Sequence, residues 1–120
     1  MSNPKVIYWL DDQRDPKVFL NRQKGDTVMW LKTPEEFKNA ITAYALPDEI
    51  WFDHDLGKSE DGKDCADFLV DFCLGRGLAL PEYHSQSQNP VGKQNILSLL
   101  DSYNKFYLNN IKNILYKKYY

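Results

Sequence analysis

The sequence predicts an α/β fold: a three-layer sandwich in which a mainly parallel sheet of four to five strands is covered by helices on both faces. Three observations lead there. Short apolar runs alternate with segments whose apolar residues recur at helical spacing, and the connections between them are short. Two of the runs, "YWLDD" and "WFDHD", break off abruptly into acids. A chain of 120 residues, 42% hydrophobic and 14% aromatic, suits one domain spanning 1–120 with one core.

The first strand is "KVIYWL", Lys5 to Leu10, β-branched and aromatic and ended by Asp11 and Asp12. "DPKVFLNRQ" has room for a short helix, and "GDTVMWL" reads as the second strand after a turn. Thr33, Pro34, Glu35 and Glu36 combine a cap, a first-position proline and first-turn acids. Phe37, Ala40, Ile41 and Tyr44 continue that helix until Pro47 closes it. "EIWFDHD" is the third strand, and Asp61 and Gly62 lead into a helix through about Leu74, before Gly75 and Gly77. "LALPEYHS" is a weaker fourth strand. Ile96, Leu97, Leu99, Leu100, Tyr103 and Phe106 then mark a long amphipathic helix, with a terminal strand or helical extension beyond it. Right-handed crossovers make strands one, three and four neighbours and leave strand two at an edge.

A net charge of -2 argues against coating an extended nucleic-acid backbone, which needs a basic excess. The tail "NNIKNILYKKYY" mixes Lys112, Lys117 and Lys118 with tyrosines and reads as a solvated terminal helix. No apolar run approaches the ~18 residues of a spanning helix, so no membrane partner is expected and the chain reads as cytoplasmic. Cys65 and Cys73 share the apolar face of one helix without a CxxC pattern, which makes them reduced core thiols.

In parallel sheets ligands bind beyond the carboxyl ends of the strands. Asp11 and Asp12, then Asp53, His54 and Asp55, then His84 and Ser85, all fall at such ends and are expected to converge on one crevice. Crowded carboxylates repel one another, and a shared proton or a bound cation relieves them. Carboxylate oxygens suit Mg²⁺ or Mn²⁺, and added histidines also admit Zn²⁺. After His84, the "NPVG" turn opens a helix with Lys93 in its first turn, a seat for phosphate.

"YWLDD", "FDHDLG", "DGKDCADFLV" and "HSQSQNPVGKQNI", in that order, resemble the cyclic-phosphate processing receiver-like domain family of small phage and bacterial proteins. The resemblance implies the flavodoxin-like fold of response-regulator receivers, with Asp11 and Asp12 matching the paired metal acids and Asp53 the phosphoacceptor. "HSQSQNPVG" has two more residues than the "HSxNPVG" form associated with the family. An ordinary receiver has a small residue after its fourth strand and a lysine after its fifth, whereas His84 in this chain suggests acid or base chemistry.

The resulting expectation is metal-assisted hydrolysis of a cyclic phosphate: an RNA-end ester, an ADP-ribose-derived ester or a cyclic nucleotide, in the host cytoplasm if the chain is phage-encoded. Asp11, Asp12, Asp53 and Asp55 would hold the cation. His84, Asp53 and His54 are the catalytic candidates, and Ser85, Asn89, Gly92 and Lys93 those that contact substrate. Two alternatives stand beside it: a signalling module phosphorylated on Asp53, and a protein that sequesters a cyclic nucleotide uncleaved.

Overall fold

The computed structural model of the chain describes residues 3–56 and 62–119, with the backbone alone for 111–119. In chain order the elements are β1 (Val6–Leu10), α1 (Pro16–Phe19), β2 (Thr27–Leu31), α2 (Pro34–Tyr44), β3 (Glu49–Phe52), α3 (Gly62–Arg76), β4 (Glu82–Ser85) and α4 (Pro90–Tyr119). The sheet is wholly parallel in the order β2-β1-β3-β4. It has the neighbours and the edge expected from the crossover rule.

Local chemistry sets the helix ends. Asp15 caps the single turn of α1 by accepting from the Lys17 N–H. Thr33 caps α2 through the Glu36 N–H at 3.1 Å, with Pro34 fitting the first turn. α2 stops before Pro47, because Ala45 turns to φ 78°, ψ -172°. α3 runs two residues past the expected Leu74 and ends at Gly77, which has φ 66°; the expected start at Asp61 lies outside the described residues. Asn89 opens α4 by accepting from the Gly92 N–H at 3.0 Å. No glycine or proline follows Gly92, and the chain continues as helix through Tyr119 rather than turning into a fifth strand. The side chains of the basic, tyrosine-bearing tail lie outside the described residues.

Strand alternation divides the core. On one face Tyr8, Leu10, Ile50 and Phe52 pack with Phe37 and Ile41 of α2, Leu69 of α3, and Ile96 and Leu100 of α4. Cys65 and Cys73 are buried free thiols in that layer, as expected. On the other face Ile7 and Trp9 pack with Leu20 just beyond α1, flanked by Val28, Trp30 and Trp51. This third layer is thin, because α1 has only four residues. Among the described residues, no helix is long and apolar enough to cross a membrane.

Register orders the thinly covered face into rows. Val28, Ile7, Glu49 and Glu82 lie side by side, and one pleat on come Trp30, Trp9, Trp51 and His84. A third row continues past the strand ends with Asp11, Asp53 and Gln86.

Candidate active site

The backbone ladder itself builds this third row. The Asp11 N–H donates to the Leu31 carbonyl at 3.0 Å, that of Asp53 to Leu10 at 3.0 Å, and that of Gln86 to Phe52 at 3.1 Å. The side chains of Asp11, Asp53 and Gln86 therefore emerge next to one another, just beyond the carboxyl ends of β1, β3 and β4.

Asp11 is almost fully buried, at 1% exposure. Its Oδ1 accepts the N–H groups of Gln13 and Arg14, both at 2.9 Å. Its Oδ2 accepts from Gln86 Nε2 at 3.3 Å and lies 3.8 Å from Arg14 Nη1. Gln86 Nε2 also donates to the Leu10 carbonyl at 3.0 Å, while its buried Oε1 has no hydrogen-bond partner among the described residues.

Asp11, Asp12 and Asp53 bring carboxylate oxygens within 4.8 Å of one another. Burial first, and then the charge of Asp11, push the Asp53 carboxyl up to about 6; Asp12 adds to the rise and Arg14 opposes it. A cavity of about 280 Å³ opens over these groups, lined by Asp11, Asp12, Gln13, Arg14, Asp53, Asp55 and Gln88. Arg14 is the cation among them, anchored by Nη1 donating to the Gln86 carbonyl.

The donor set suits a hard divalent cation. It consists of carboxylate oxygens within 4.8 Å of one another, with no soft ligand among them. Asp11, Asp12 and Asp53 are the residues that would hold such an ion. Asp55 lines the cavity but is largely exposed and pairs with His54 Nδ1 at 3.0 Å.

The remaining residues expected at the site do not line this cavity. The His54 ring packs on the first turn of α4, so close that a Cβ at Gly92 would lie 2.2 Å from His54 Cγ. Gly92 thus serves a close approach of two elements. Ser85 and Asn89 belong to a relay of turns: Ser85 Oγ accepts the Ser87 N–H, Ser87 Oγ accepts the Asn89 N–H, and Asn89 Oδ1 caps α4. Lys93 is exposed in α4 and absent from the cavity wall.

His84 corrects the expectation of convergence most clearly. It shares a face with Asp53 but sits one pleat back, paired with Trp51. Its ring stacks on the Trp51 indole at 4.3 Å, and Nε2 points to Glu82 at 3.1 Å and Glu49 at 3.7 Å, toward the opposite end of the strands.

Arg14 and Gln86 are the contributors missed in the sequence. Arg14 is visible in hindsight as the close of the turn "DDQR" that Asp11 organises, and Gln86 as the first residue beyond the last strand, in register with Asp53.

Comparison with known proteins agrees with this architecture. A family model described as the cyclic-phosphate processing receiver domain matches residues 6–102. No curated protein matches the chain. Among solved structures, a fusion of the yeast Spc42 trimeric coiled coil, amino acids 181–211, is similar at 20% identity and TM-score 0.56, covering 93% of this chain and 87% of that one. The N-terminal domain of a response regulator/sensory box/GGDEF three-domain protein from Carboxydothermus hydrogenoformans is similar at 20% identity and TM-score 0.53, covering 89% and 99%. At this identity the likeness shows the fold, a receiver-like α/β sandwich.

Proposed function

The chain belongs to the cyclic-phosphate processing receiver domain family, and from that premise we propose that its acidic cavity hydrolyses a cyclic phosphate ester with the help of a divalent cation, Mg²⁺ or Mn²⁺. The observation that carries this reading is the meeting of three carboxylates and one guanidinium in a single cavity. Acids alone would repel a phosphate, and a guanidinium alone would leave the acids unexplained.

Asp11, Asp12 and Asp53 would hold the cation. When bound, the ion supplies Lewis-acid polarisation of the phosphoryl group. Arg14 offsets charge on the non-bridging oxygens, the task that the sequence suggested for Lys93. The Asp11 turn fixes Arg14, and Gln86 fixes Asp11, so these charges are oriented before substrate arrives. Such preorganisation is what phosphoryl transfer chiefly requires.

The test is turnover of 2′,3′-cyclic, 3′,5′-cyclic and ADP-ribose-derived cyclic phosphates with Mg²⁺, Mn²⁺ or EDTA. Opening of one class that EDTA abolishes is expected, with Asp53→Asn lowering kcat about 100-fold or more. Arg14→Ala should raise KM and lower kcat, and Arg14→Lys should restore part of both. Unchanged turnover in Asp53→Asn would overturn the assignment. Ligand bound tightly but recovered intact would support sequestration instead, and a phosphoryl adduct on Asp53 after incubation with a small phosphodonor would support signalling.

A further inference from the structure

Glu49, Glu82 and His84 take no part in that reading, yet they form the other group of metal-ligating side chains among the described residues. We propose that these three residues make a second metal centre, separate from the acidic cavity, for one borderline divalent cation such as Zn²⁺.

Strand geometry brings them together. Glu49 and Glu82 are paired first residues of β3 and β4, and His84 lies two residues along β4 on the same face. Their ligand atoms all fall within 4.8 Å of one another. His84 Nε2 is 3.1 Å from Glu82 Oε2 and 3.7 Å from Glu49 Oε1. An ion with bonds of about 2.0–2.1 Å to nitrogen and oxygen in a tetrahedron separates its ligand atoms by about 3.3–3.4 Å. The two spacings from His84 bracket that value, and the Glu49–Glu82 pair lies within 4.8 Å. One imidazole with two carboxylates is a donor set that suits Zn²⁺ better than Mg²⁺.

The ligands are also held from behind. Glu49, 8% exposed, accepts from Trp51 Nε1 at 2.7 Å on Oε1. The same indole stacks on His84 and fixes the ring plane. Outer contacts of this kind orient ligands in metal sites. Lys5 Nζ lies 3.5 Å from the other oxygen of Glu49 and offsets part of the local negative charge without occupying Oε1.

An independent observation is the space beside them. A cavity of about 360 Å³, larger than that over Asp53, is lined by the two carboxylates Glu49 and Glu82 together with Asn3, Lys5, Gln23 and Asp26, with His84 outside its wall. It leaves room for a non-protein ligand to complete the coordination shell, the pattern of three protein ligands and one open position.

The experiment uses the Asp12→Asn, Asp53→Asn chain, so that the acidic cavity does not contribute. Zn²⁺ is titrated by calorimetry, Co²⁺ by visible absorption, and the imidazole resonances by NMR, where only two histidines are present. One equivalent should bind with the His84 resonances shifted and those of His54 unmoved. His84→Ala and Glu82→Gln should each weaken binding tenfold or more. Because His84→Ala also unstacks Trp51, near-ultraviolet circular dichroism checks its fold, and Glu82→Gln, on an exposed side chain, serves as the second variant. Zn²⁺ affinity unchanged from that of the parent chain in both variants, or His84 resonances unmoved at saturation, would overturn the proposal, whatever the outcome of the turnover assay.

Discussion

Asp53 shows what the site demands of single residues. Its carboxyl titrates near 6 rather than at 3.8, first because it is buried and then because Asp11 stands beside it. The folded chain therefore keeps this proton through a range in which the unfolded chain has already released it. Stability from this group falls as pH rises from about 4 to about 6 and stays lower above that. Asp53→Asn removes the buried charge, so the ion-free protein should gain about 1–3 kcal/mol at pH 7.5 and much less at pH 4. Urea unfolding at the two pH values measures this, and a gain independent of pH would mean that charge is not the cause. On the proposed reading the same substitution lowers kcat about 100-fold or more, so the gain in stability and the loss of turnover are expected together.

Among the elements, the helix ends hold the strained contacts. Ala45 closes α2 at φ 78°, ψ -172°, a region that is essentially reserved for glycine, and its carbonyl is held by the Tyr8 hydroxyl at 3.2 Å. Ala45→Gly should raise stability by about 1 kcal/mol, read as a higher urea midpoint at unchanged slope. Gly62 works in the opposite sense. A Cβ there would lie 1.7 Å from the Asp53 carbonyl oxygen, and backbone cannot swing aside as a side chain can. Gly62→Ala should therefore cost more than about 3 kcal/mol or displace the end of β3, and Asp53 with it; a wild-type melting temperature would refute that. These constraints also mark what the sequence could convey. Strand and helix existence, the order of the sheet and the meeting of Asp11, Asp12 and Asp53 were legible, because periodicity and abrupt acidic strand ends are local signals. The Ala45 turn was not, since alanine carries no stop signal. Nor was the position of His84: Asp11 and Asp53 stand one residue beyond their strands, whereas His84 lies inside β4 with Gln86 in their row. Parity gives the face of a side chain, but only register gives its row.

At the scale of the molecule, the sheet is polar along its strands, with carboxylates at both ends of one face and a tryptophan row between them. That face is covered by one turn of helix, while the opposite face carries α2, α3 and α4. The thicker layer anchors the strands, and the thin one leaves their ends open to ligands. Since Asp11, Asp12 and Asp53 come from different strand ends, an ion held among them ties β1 to β3 in the folded chain and has no comparable site in the unfolded one. Free energy of binding then adds directly to stability, by about 2.7 kcal/mol when the ion is present at 100 times its Kd. At pH 5 the ion must first displace the proton of Asp53, so Mg²⁺ should stabilise less there than at pH 7.5. Thermal unfolding with Mg²⁺ or EDTA at both pH values gives the comparison. The wild-type chain is expected to show a larger Mg²⁺ shift at the higher pH, and the Asp12→Asn, Asp53→Asn chain almost none at either. Equal shifts in the two chains would place the cation outside the acidic cavity and remove the central support for metal-assisted hydrolysis there.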